Sequence, residues 1–185
     1  SLGTATLDLL VSARHTDERI GPRWVSAGHS EGSVAAVAAA IGHSRAPTRA
    51  ELRGVSLISP VTRMDRTIGA LARVRVPIAP VRNLVPLTAL MLQGAVVSDL
   101  SVAGLLDAGL SPRSKVLWPQ LQERSLEELS ATDSFGALAP AVLFAPGVAG
   151  SALRAALLEW LRREDVRHAV WPDGLPVRVD WGAFD

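Results

Sequence analysis

The residues best suited to chemistry are Gly28-His29-Ser30-Glu31-Gly32. A serine hydroxyl is a weak nucleophile that gains reactivity when a sharp turn exposes it and a histidine stands within hydrogen-bond reach. Flanking glycines let neighbouring backbone approach such a turn, provided a strand precedes it and a helix follows. The sequence offers that context. Arg23 to Ala27 (RWVSA) suits a short strand, and Glu31 to Ile41, with its SVAAVAAAI run, suits a helix of small residues that can pack close to a sheet. The N-terminus of that helix would offer free N–H groups, that of Glu31 first, to a developing oxyanion. Ser30 is the candidate nucleophile; the alternative is an ordinary serine in a turn.

A base is harder to find. His29 adjoins Ser30 and would point away from its hydroxyl, which predicts a packing role. His15 and His43 stand near helix ends, where solvation or capping is the expectation. His168 lies between an amphipathic helix and the last strand and could complete a triad only if geometry overrides chain order. Asp165 and Asp173 read as solvated helix-end or turn residues. No two histidines have metal-ligand spacing and there is no cysteine, so neither a metal, another cofactor nor a disulfide is expected.

The elements that must position Ser30 follow from periodicity. Leu7, Leu10 and Val11 recur at helical spacing within Thr4 to His15, and HTDERIGP ends that helix. Leu52 to Ser59 reads as a second buried strand closed by Pro60. Strand, sharp turn, helix and strand make a βαβ unit with parallel strands. From 60 to 150 the rhythm breaks: Pro77, Pro80, Pro86, Pro112, Pro119, Pro140 and Pro146 punctuate short helical pieces, which predicts a helical insertion. Ser151 is the expected N-cap of a helix from Ala152 to Arg163, whose Leu153, Ala156, Leu157, Trp160 and Leu161 form one apolar face. Leu175, Val177 and Val179 then alternate as a strand does. The expected division is a core over 1–60, a mainly helical region over 61–165 and a return to the sheet over 166–185.

Composition excludes several function classes. With 185 residues, 48% of them hydrophobic, the chain has enough apolar mass for a packed core. Nineteen basic residues against 18 acidic ones, with no long run of either sign, recommend no nucleic-acid partner. No signal peptide is visible at SLGTATLDLL. The most apolar stretch, Asn83 to Val97, is broken by Pro86, Gln93 and Gly94 and is too short for a transmembrane segment.

Taken together, RWVSAGHSEGSVAAVAAA, ELRGVSLISP and DSFGALAPAVLFAPG followed by a helix and LPVRVDWGAFD resemble the α/β-hydrolases. Within that superfamily they resemble the secreted lipases related to fungal lipase A and their bacterial relatives. The resemblance covers nearly the whole chain. It implies a partial α/β-hydrolase fold with a helical cap or lid insertion, and a lipid or other carboxylic ester as small-molecule substrate. It implies Ser30 as nucleophile in an elbow flanked by Gly28 and Gly32, the Glu31 N–H as one oxyanion donor, and Asp185 as the triad acid. Secretion is implied by resemblance alone. Two positions depart from the pattern: glutamine is commoner than Glu31, and Ser33 replaces a frequent glycine. In this family the order is Ser, Asp, His, so the histidine is expected downstream of Asp185 and the second oxyanion donor upstream of Ser1, making the chain an internal fragment of a longer enzyme. An acyltransferase would use the same apparatus. A hydrolase-like domain without turnover is the alternative from another class.

Overall fold

A computed structural model describes residues 2–45, 50–76 and 82–182. The chain divides into two compact units, Ser1–Thr62 with Asp165–Asp185, and Arg63–Glu164.

The first unit is built on three parallel strands, β1 (Arg23–His29), β2 (Glu51–Ile58) and β3 (Val177–Asp180), in spatial order β1-β2-β3. Among the described residues its α-helices are α1 (Leu2–Thr16) and α2 (Glu31–Arg45). α2 packs against β1 and β2, and α1 packs against α2. The alanines of α2 are what allow this: Ala36, Val37 and Ala40 meet Val55 and Leu57 of β2 in one buried cluster. The register puts Ser26 opposite Val55 and Gly28 opposite Leu57, so these four share the α2 face. Val177 and Val179 pair with Val55 and Leu57 and continue that face at 36% and 37% exposure. The opposite face is open: Val25 and Ile58 are 58% and 46% exposed, and Ala27 and His29 are exposed beside them. Parallel sheets normally bury both faces; this one buries one.

The second unit is helical. It contains α3 (Met64–Leu71), α4 (Leu84–Ser98), the short α5 (Leu100–Ala103), α6 (Leu106–Gly109), α7 (Pro112–Leu117) and α8 (Leu126–Leu129), and the long α9 (Val148–Arg163), with 3-10 helices between α7 and α8 and between α8 and α9. Its core gathers Ile68, Leu92, Leu129, Phe135, Leu143, Leu153 and Leu157, all fully buried. α9 presents Gly150, Leu153, Leu157 and Leu161 inward, one stripe at three- and four-residue spacing.

Several expectations are corrected. Pro86, Gln93 and Gly94 do not break the apolar stretch, because α4 runs through all three. Pro86 falls in the first turn, where the missing N–H had no intrahelical acceptor. Among the described residues no helix is long and apolar enough to cross a membrane. α9 begins at Val148 rather than Ala152, with Gly147 at the N-cap, so Ser151 lies inside the helix and caps nothing. Leu175 precedes β3 rather than belonging to it.

Candidate active site

Ser30 sits at the junction of β1 and α2. Its φ is 52°, in the left-handed region that costs an L-residue roughly 1–2 kcal/mol. Two features hold it there. The Ser30 N–H donates to the Ile58 carbonyl at 3.0 Å, tying the turn to the end of β2, and the Ser30 carbonyl accepts from the Ser33 N–H at 3.0 Å. The turn is so tight that a Cβ on Gly28 would stand 2.0 Å from the Gly32 carbonyl oxygen, a position no side chain can occupy. A Cβ on Gly32 would meet nothing within 4 Å. Close approach therefore requires glycine at Gly28 alone; the sequence reading assigned it to both flanks.

Ser33 has a positive role. Its hydroxyl is fully buried and lies 3.2 Å from both the Gly28 and the Ile58 carbonyl oxygens, so it stitches the last turn of β1 to β2. Ser26, also buried, donates its hydroxyl to the Ala36 carbonyl at 3.1 Å and holds β1 to α2. Glu31, exposed, opens α2, where its carboxylate suits the positive helix end. As the first helical residue it has an N–H with no intrahelical acceptor. Ser30 itself is half-buried.

The ends of the three strands are in register. Ser59, with φ 45°, follows β2 as Ser30 follows β1, and its N–H donates to the Asp180 carbonyl at 2.8 Å. His29, Ile58 and Asp180 are thus successive neighbours across the sheet. This carboxyl end of a parallel sheet is where open α/β sheets bind ligands. Asp180 is a residue that the sequence reading missed. Its carboxylate accepts two bonds from Arg178, at 2.8 and 3.0 Å, and raises the Arg178 pKa. Its position as last residue of a short alternating strand was the available signal. Asp185 lies outside the described residues.

No histidine meets the serine. Among the described residues, no side chain hydrogen-bonds the Ser30 hydroxyl. His29 is exposed on the open sheet face instead of packed, since the register turns it away from α2. His15 bonds the Val11 carbonyl of its own helix. His43 is half-buried and caps nothing: it stands edge-on to Trp24 with ring centroids 5.5 Å apart, and its Nδ1 is buried without a partner. His168 is exposed at the end of a 3-10 turn. Asp165 is buried rather than solvated; it caps that turn through the Arg167 N–H and pairs with the Arg167 guanidinium at 2.8 Å. Asp173 is exposed in a turn. Among the described residues no group of three His, Asp or Glu side chains could hold a metal ion.

The class that the fold defines is α/β, with a three-stranded parallel sheet and flanking helices. No family model, curated protein or solved structure matches this chain.

Proposed function

We propose that the chain carries the nucleophile elbow of a serine ester hydrolase of the lipase or esterase kind. One observation carries the reading: Ser30 is held at φ 52° between a strand and a helix by a Gly28–Gly32 approach that excludes a β carbon on Gly28. Backbone strain of this kind persists only where the surroundings over-determine it, and it concentrates at functional sites. In this reading the Ser30 oxygen attacks the ester carbonyl carbon while its proton passes to a histidine. The carbonyl oxygen, now anionic, accepts from the Glu31 N–H. Collapse expels the alcohol with the proton from the histidine, leaving an acyl group on Ser30, and water releases the acid by the same two steps. The resemblance would make the mainly helical stretch 61–165 the cap of the enzyme, and Asp185 the acid that orients the histidine. With an alcohol in place of water the same steps give an acyltransferase.

The second reading, a hydrolase-like domain without turnover, is favoured by the bare Ser30 hydroxyl, which lacks a histidine partner among the described residues. A fluorophosphonate probe separates the two. Labelling of the wild type that is lost in Ser30→Ala supports the hydrolase. Equal labelling of both, or of neither, supports the domain without turnover.

A further inference from the structure

Among the cavities of the Arg63–Glu164 unit is one of about 900 Å³. Four arginines line it: Arg73 and Arg75 from the segment after α3, Arg113 from the first turn of α7, and Arg154 from α9. Among the described residues no carboxylate lines it. Seven other arginines of the described residues pair with Asp or Glu. None of these four does, so one space is lined by four arginines, three of them exposed and Arg154 half-buried, without a counter-ion among the described residues. An Arg guanidinium is a planar fork that matches phosphate and carboxylate oxygens, and four of them around one space favour an anion there.

Apart from Ser111 and Ser151 the other side chains of the wall are apolar. Ala72, Pro112, Val142, Phe144 and Pro146 contribute the apolar lining. Backbone bonds tie the segments together: Ala141 N–H to Val74 carbonyl at 2.9 Å, Ser111 N–H to Leu143 carbonyl at 3.2 Å, and Ala145 N–H to Gly109 carbonyl at 2.8 Å. The start of α9 also faces this space. Gly147, at φ 82°, caps it without any side chain, and Gly150 lies so close to Ala145 that a Cβ would stand 1.8 Å from its carbonyl oxygen. The positive end of a helix of 16 residues thereby adds to the arginine field.

We infer that this cavity binds an organic phosphate carrying an apolar group, the phosphate held by the arginines and the apolar part laid on the Val142, Phe144 and Pro146 wall. A lone carboxylate would neutralise one charge of four; a phosphate group offers up to two charges and more acceptor oxygens. The volume is that of a small-molecule site. The proposal stands independently of any role for Ser30.

The test is calorimetric titration of the full chain with phenyl phosphate and with inorganic phosphate. Saturable binding of phenyl phosphate, tighter than inorganic phosphate, is expected, weakening as salt rises. Arg113→Gln with Arg154→Gln should weaken it at least about tenfold, with unchanged melting temperature, whereas Arg66→Gln, outside the cavity, should not. Absence of saturable binding, equal affinity for the two probes, or binding indifferent to the paired substitution would overturn the proposal. Sedimentation with phosphatidylcholine vesicles, with and without phosphatidic acid, distinguishes the source. Arginine-dependent capture by phosphatidic acid identifies a lipid headgroup, and binding of the soluble probe alone identifies a free phosphate ester.

Discussion

Gly28 and Gly32 touch backbone to backbone, with space for a β carbon on the second but none on the first. The two glycines of one five-residue motif should therefore respond oppositely to alanine. Gly28→Ala is expected to cost about 2–4 kcal/mol, since only movement of the main chain relieves the clash. Gly32→Ala, in the first turn of α2, should be neutral or stabilise by up to about 1 kcal/mol. Urea unfolding midpoints decide it; a Gly28→Ala variant as stable as wild type would mean that the turn is looser than described.

The left-handed backbone of Ser30 gives a second prediction. Ser30→Gly should be more stable than Ser30→Ala by about 1 kcal/mol, because glycine enters this region without steric cost. Both variants should lose phosphonate labelling if the proposed chemistry is right. Thermal melts of the pair test the strain by itself, whatever the labelling shows.

Acid should weaken the helical unit through Asp99. The Ser101 hydroxyl and the Arg163 guanidinium, together with the Ser101 N–H, hold its pKa down from 3.8 to about 2. A folded value below the unfolded one means that the contribution is fully present above about 4 and is lost as pH falls through about 2. Asp99→Asn should accordingly be less stable than wild type at neutral pH, with the gap closing toward pH 2. A gap independent of pH would assign the effect of the substitution to something other than charge.

The two faces of the sheet should also differ. Val25, on the open face, can become serine within about 0.5 kcal/mol, whereas Val55→Ala against α2 should cost about 1–3 kcal/mol. Equal costs in denaturant melts would show that something covers Val25 in solution.

The sequence made the local signals legible. The strand, turn and helix around Ser30 are short-range features, and the small residues of α2 announce close packing by themselves. What it hid depends on distant partners. His43 looks like a helix-end histidine until Trp24 arrives from β1. Asp165 looks solvated until its own burial and its pairing with Arg167 are known. α9 starts early because Gly147 adopts φ 82° at its N-cap and Gly150 admits a tight approach to Ala145, which no hydrophobic period records. The four arginines of the cavity come from three separate segments, so no local pattern could gather them.

The pairing of β2 with β3 sets an order of events during synthesis. Val55 finds Val177 about 120 residues further on, and at ribosomal speeds of about 5–20 residues per second that edge of β2 waits roughly 6–24 s for its neighbour. All of Arg63–Glu164 leaves the ribosome in that interval. The helical unit can therefore fold while the sheet still lacks its third strand, and a pause in translation between Ile58 and Val177 would prolong the exposure of an unpaired strand edge.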